Sequence, residues 1–129
     1  MAKTKQFMIA VEHRPGALAE IARTLGNAKV NILALLGTGQ GTGGAIHVVV
    51  EDARRAKKAL DVARISYQES QAEEIEVANK PGALAAALEK LAAKGINLNS
   101  IYASASKGGK KAVIVYTSEA KAATAATAA

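Results

Sequence analysis

The heptapeptide His13-Arg-Pro-Gly-Ala-Leu-Ala19 returns as Asn79-Lys-Pro-Gly-Ala-Leu-Ala85, with the last five residues identical. Placing Pro81 on Pro15 sets an offset of 66 positions that runs without a gap to the end of the chain. On that offset Leu25 meets Leu91, Asn31 meets Asn97, Ile9 meets Ile75 and Val11 meets Val77. Self-similarity at a fixed period marks one structural unit made twice. Any fold assigned to the first copy must therefore also accommodate the second.

Within a copy the hydrophobic period changes in a set order. Phe7, Ile9 and Val11 alternate as one face of a strand, and Leu18, Ile21, Ala22 and Leu25 then recur at helical spacing. Pro15 suits the first helical position, where a missing N–H costs nothing, and Gly26 and Asn27 supply a stop. A strand at 30–36, the glycine run Gly37-Thr-Gly-Gln-Gly-Thr-Gly-Gly44 and a β-branched strand at 45–50 read as a hairpin with a mobile loop. Glu51 and Asp52 precede a second helix at 53–63, which leads to a fourth strand at 65–70. The order β-α-β-β-α-β is the split unit of ferredoxin-like folds, with antiparallel sheets and helices on one face. The fold class expected is α+β, two such units in tandem.

The second copy reads as a strand at 73–78, a helix at 82–94, hairpin strands at 96–104 and 111–116, and a last helix from about Ser118. Ala129 corresponds to Ala63, so the second copy ends before any equivalent of the fourth strand. The expected domains are residues 1–70 and 71–129, the latter lacking its last strand. Residues 65–78 are expected to run as one long strand or bent ribbon from one unit into the next. An open sheet edge is expected in the second half, and such edges invite pairing. The tail Glu119-Ala-Lys-Ala-Ala-Thr-Ala-Ala-Thr-Ala-Ala129 reads as a thinly packed final helix, with a low-complexity linker as the alternative.

Composition removes several function classes. There are no cysteines, hence no disulfides, thiolate metal sites or thiol nucleophiles, which suits a reducing cytoplasm. No signal-peptide core and no apolar run of membrane-spanning length is present, so a soluble cytoplasmic protein is expected, without a membrane partner. The net charge of +6 invites a nucleic-acid reading, yet aromatics are only 3% of residues. The excess sits in the first copy, chiefly at Arg54, Arg55, Lys57 and Lys58, and reads as a solvated helix face. RNA binding on a ferredoxin-like sheet would need surface aromatics, and only Tyr102 and Tyr116 are placed for it.

Gly39-Gln-Gly41-Thr-Gly-Gly44 formally satisfies G-x-G-x-x-G, but a strand follows where a dinucleotide site needs a helix. Lys107-Gly-Gly-Lys-Lys111 likewise reads as a turn with solvated charges. His47 alternates with Ile46 and Val48 and reads as an ordinary residue of the less apolar face. With His13 the only other histidine and no clustered carboxylates, no metal, cofactor or catalytic residue is assigned.

Each copy resembles an ACT domain. The resemblance rests on a strand followed by His13-Arg-Pro-Gly-Ala-Leu-Ala with Val30-Asn-Ile32, and on Asn79-Lys-Pro-Gly-Ala-Leu-Ala with Ile96-Asn-Leu98. Two copies cover essentially the whole chain, so it resembles a stand-alone tandem ACT protein without a catalytic domain. The resemblance implies an effector held between two ACT domains, near the loop after the first strand and the start of the second. By position this points to Arg14, Pro15, Gly16, Ala17, Asn31 and Ile32, and to Lys80, Pro81, Gly82, Ala83, Asn97 and Leu98. The first copy has His13 where the second has Asn79, so the loops need not share a ligand.

Physical chemistry supports these positions independently. The first turn of a helix offers unpaired N–H groups and a positive dipole end to a carboxylate. Glycine lets a ligand approach that backbone, and an Asn amide both donates and accepts. The bland readings are that Gly16 and Gly82 only set a turn and that Asn31 and Asn97 bond their own backbone. The reading adopted is a non-catalytic regulatory module for a small amino acid, a homodimer, whose output is read by a metabolic enzyme. The alternative is an interaction subunit whose sheet or basic helix docks on such an enzyme with no ligand of its own.

Overall fold

The computed structural model describes residues 2–118; the expected final helix from about Ser118 lies outside them. The chain divides into two compact units, Thr4–Ser70 and a second from Gln71 onward that takes in the first residues of the chain. The elements are β1 (Ala2–Glu12), α1 (Ala17–Asn27), β2 (Ile32–Gln40), β3 (Gly43–Val50), α2 (Ala53–Val62), β4 (Gln68–Ala78), α3 (Ala83–Ala93), β5 (Leu98–Ala105) and β6 (Lys111–Ser118). The first unit has the ferredoxin-like order β-α-β-β-α-β, and the second repeats β-α-β-β among the described residues.

In the first unit the antiparallel strands run β2-β3-β1, with Phe7 opposite Val48 and Ile9 opposite Ile46. Those four side chains share one face of the pleat and meet Ile21 and Leu25 from α1 and Ala56 and Leu60 from α2 in a single core. Both helices thus cover the same face. Tyr67, just ahead of β4, sets its ring edge-on against Phe7 at 5.3 Å and 86°. His47 points away from that core, as the alternation predicts, with its Nδ1 buried and lacking a hydrogen-bond partner among the described residues. Asp52 caps α2 by accepting from the Arg55 N–H at 3.0 Å.

The second unit orders its strands β4-β6-β5, with Ile75 opposite Ile114 and Tyr102 opposite Val115. Its core is smaller: Leu91, Ile96 and Tyr116, with Ile75, Leu88 and Leu98 packed against them. Tyr116 is only 1% exposed and cannot serve as a stacking platform.

Three local expectations are corrected. Pro15 is not the first helical residue: Pro15-Gly16 forms a turn, and α1 starts two residues later at Ala17. The reason is Gly16, which adopts φ 88° and ψ −13°, a left-handed conformation that precedes the helix. Gly82 does the same before α3, at φ 85° and ψ −14°. Second, the glycine run is not a long loop. Gly39 pairs with Gly44 and Gln40 with Gly43, so β2 and β3 continue almost to their tip at Gly41 and Thr42. Third, Gly26 lies inside α1; the left-handed residue after that helix is Lys29, φ 63°, and its counterpart after α3 is Gly95, φ 72°. The ribbon expected over 65–78 is a single strand from Gln68 to Ala78, preceded by irregular residues at 65–67.

Candidate functional site

The loop from β1 to α1 walls a cleft of about 430 Å³ inside the first unit, together with Leu18 of α1 and the strand segment Gly37–Gly39. Bare strand positions let the strand and the loop side chains meet. A Cβ on Gly37 would fall 2.8 Å from Cδ1 of Leu18, and one on Gly39 would collide with the His13 imidazole. The two bare strand positions therefore accept the side chains of the loop and the helix. The backbone N–H of His13 donates to the Thr42 carbonyl at 2.9 Å, tying the loop to the hairpin tip.

Charge in this cleft is partly neutralised. Arg14 donates through Nε to Glu12 at 3.0 Å and through Nη2 to both carboxylate oxygens of Glu20 at 3.1 Å. Glu20 and then Glu12 raise the already high pKa of the guanidinium, which stays charged with its fork largely engaged. Arg14 is thus a strut of the loop, and an incoming carboxylate would have to compete with two resident ones. The helix start is more open: no side chain caps α1. Glu12 also lines the cleft and its side chain is 78% exposed, an acceptor at the rim that the sequence reading did not single out.

The corresponding place in the second unit differs. Asn79, Lys80 and Leu84 face Ala103–Ala105 across a cleft of about 210 Å³. The Asn79 side chain is committed, since its Nδ2 donates to the carbonyls of Gly109 at 2.8 Å and Ser106 at 3.3 Å. Its backbone N–H donates to Lys110 at 3.0 Å, so the loop is pinned to the turn between β5 and β6.

The structure brings only part of the expected set together. Arg14, Pro15 and Ala17 line the first cleft, with Gly16 at the turn beside them. Asn31 and Ile32 do not line it: Asn31 donates through Nδ2 to Glu51 at 2.9 Å, and Ile32 packs against the first core. In the second unit Lys80 lines the smaller cleft, Pro81 and Gly82 form the turn, and Ala83 opens α3. Ala83 faces a separate hollow of about 450 Å³ with Ile75 and Lys90. Asn97 precedes β5 and has an interaction of its own, while Leu98 packs on the second core. His13, Leu18, Gly37 and Gly39 complete the first cleft; the signal for the glycines was their density in a hairpin arm, where a strand gains nothing from them unless something approaches closely.

Among the described residues no group of three or more His, Cys, Asp or Glu is placed to hold a metal, and no helix is long and apolar enough to cross a membrane. A cavity of about 790 Å³ lies away from both loops, between α1 and α2.

Comparison with known proteins agrees with this architecture. A crystal structure of a protein from Bacteroides thetaiotaomicron superposes with a TM-score of 0.82 at 27% identity, covering 95% of this chain and 85% of that one. The ligand-free regulatory subunit of aspartate kinase from Thermus thermophilus superposes with a TM-score of 0.71 at 15% identity, covering 97% of this chain and 89% of the other. Its counterpart from Thermus flavus gives 0.60 at 18% identity, covering 96% and 87%. The two kinase subunits, at these identities, show a shared fold. No curated protein sequence matches the chain. The sequence profile described as an ACT domain pair matches residues 2–127, and the chain belongs to the ACT domain family.

Proposed function

We propose that this ACT domain pair is a non-catalytic regulatory module that binds a small amino acid, with the first copy of the repeat as the effector-taking one. The observation that carries the assignment is the contrast between the loops. The first frames a cleft of about 430 Å³ built on bare glycine positions, whereas the second frames about 210 Å³ and spends its Asn79 amide on its own backbone. A volume of the first size suits a small ligand. The α-carboxylate would take the uncapped N–H groups at the start of α1, where the dipole is positive, and the ammonium would take Glu12. His13 supplies a further polar group, and Arg14 keeps Glu12 and Glu20 in place. Among proteins of this fold, regulatory subunits of aspartate kinase support a regulatory role. Regulation would work by linkage: the ligand shifts an arrangement of a homodimer only by its difference in affinity for the states, and a metabolic enzyme on which the homodimer docks reads that shift.

The test is a thermal-shift screen of the chain against each proteinogenic amino acid at millimolar concentration. A ligand present at about 100 times its Kd adds about 2.7 kcal/mol to stability. The melting shift should survive Asn79→Ala and vanish in Glu12→Gln or Gly37→Val. If no amino acid raises the melting temperature, or if Asn79→Ala abolishes the shift while Glu12→Gln leaves it intact, the assignment falls.

A further inference from the structure

We propose that the groove between α1 and α2 docks an acidic amphipathic segment of a partner protein. This surface, a cavity of about 790 Å³, is separate from the loop cleft. Its wall on α2 is made of two adjacent rows. Arg54, Lys58 and Val62 fall four residues apart, beside a row in which Ala59 and Ala63 follow Arg55 at the same spacing. Members of a row stand about 6 Å apart along the helix axis, the repeat that a second helix laid in the groove would present. Ala28 at the end of α1 closes the opposite side together with Thr24 and Asn27, so alanine and valine methyls lie between a cationic wall on α2 and neutral polar side chains on α1.

Neighbouring charges show which cations are available. Lys57 turns away to Glu69 at 3.0 Å. Arg55 is held by Asp52 at 3.8 Å and by the Lys29 carbonyl at 3.4 Å. Asp52, the one acid lining the groove, is in turn engaged as the cap of α2, and Asp61 accepts from the Tyr67 hydroxyl at 3.0 Å. Arg54 and Lys58 have no ion pair or hydrogen bond among the described residues. One turn further on, Val62 is 77% exposed, the most exposed large hydrophobic residue described. Two uncompensated cations followed by a solvent-facing aliphatic residue call for the complementary row: two carboxylates one helical turn apart, then an aliphatic side chain. A nucleic acid would satisfy the cations but gain nothing from Val62, Ala59 and Ala63, which offer no ring for a base to stack on.

The experiment uses the full chain and three probes: a synthetic helical peptide with paired Glu residues and Leu one turn on, its Lys-for-Glu counterpart, and a single-stranded oligonucleotide. Amide NMR spectra locate binding and a fluorescence titration measures it at low salt. The acidic peptide should shift the amides of Arg54, Lys58, Ala59 and Val62, and Arg54→Glu with Lys58→Glu should weaken it at least about ten-fold. Val62→Ser, a change at an exposed site that leaves the fold intact, should weaken it by about three-fold or more without changing its salt dependence. The proposal is overturned if the acidic peptide leaves these amides unmoved or if the Lys peptide binds as well. It is equally overturned if the oligonucleotide binds here and both ligands ignore Val62→Ser, which would make the face a polyanion surface. If Val62→Ser instead changes the sedimentation of the chain alone, the occupant is a second copy and the partner assignment is wrong.

Discussion

Gly16 and Gly26 lie ten positions apart, and the same substitution, Gly→Ala, should move stability in opposite directions at the two. At Gly16 the backbone sits at φ 88°, and a Cβ there would meet only Arg14 Nη1 at 3.9 Å. Steric contact with neighbours is therefore not the issue; the dihedral is. Holding a residue with a Cβ in the left-handed region costs roughly 1–2 kcal/mol. The methyl also restricts the unfolded chain, which returns about 0.4–1 kcal/mol. The net expectation for Gly16→Ala is a loss of about 1 kcal/mol. Gly26 lies inside α1 with nothing within 4 Å of its would-be Cβ. There Ala should add about 0.5–1 kcal/mol. At roughly 4–8 °C per kcal/mol for a domain of this size, the two variants should melt on opposite sides of the parent by several degrees. Urea titrations followed by circular dichroism should show the midpoint moving with an unchanged slope, which marks a change of stability without a change in the surface exposed on unfolding. Gly82→Ala, at φ 85° with open space around it, should repeat the Gly16 result in the second copy. Shifts of the same sign at Gly16 and Gly26, or no loss at Gly16, would refute the claim that glycine is there for its backbone.

Three further outcomes follow from the geometry. Asn79→Ala removes two donated hydrogen bonds to the β5–β6 turn and should cost about 1 kcal/mol, with faster amide exchange confined to residues 106–110. Lys57 lowers the pKa of Glu69 by hydrogen bond and charge, with Lys5 adding to it, so this carboxylate contributes stability above its unfolded pKa and loses it as pH falls through the lower folded value. Lys57→Ala should therefore narrow its stability deficit relative to the parent as the pH is taken from about 5 to 3 in acid-unfolding curves. Burial raises the Tyr102 phenol to about 12, and Tyr67 and Tyr116 are also raised, so absorbance at the ordinary phenol value should show less tyrosinate in the folded chain than in the unfolded one. For Tyr102 the sign is the reverse of the carboxylate case: the unfolded chain loses its proton first, and stability declines as pH rises past the ordinary value.

The repeat made the architecture legible because it tests itself. Period-two alternation at Phe7, Ile9 and Val11 and helical spacing at Ile21 and Leu25 each point to one buried face, and the core uses those faces. What stayed hidden depends on contacts between residues distant in sequence. Pro15 reads locally as a helix start, but the handed dihedral of Gly16 moves that start to Ala17. The glycines of β2 read as a loop because a sequence window cannot show that Leu18 and His13 lie against Gly37 and Gly39. Asn31 and Asn79 are both amides beside a loop, at positions that do not correspond in the repeat, and both are committed: one bonds the Glu51 side chain and the other a turn at a separation of 30 for Gly109. Composition alone cannot distinguish a ligand-facing amide from a committed one.

The strand β4 carries a practical consequence for dissecting the molecule. It runs unbroken from Gln68 to Ala78, while the boundary between the compact units falls within it, after Ser70. There is no linker to cut. Cleavage at that boundary would leave three strand residues on one fragment and eight on the other, so neither half would carry the whole element. Single-copy fragments should therefore include all of 68–78 on whichever side is studied, and a protease or an inserted flexible spacer at Ser70 would damage the strand itself rather than simply uncouple two beads on a string.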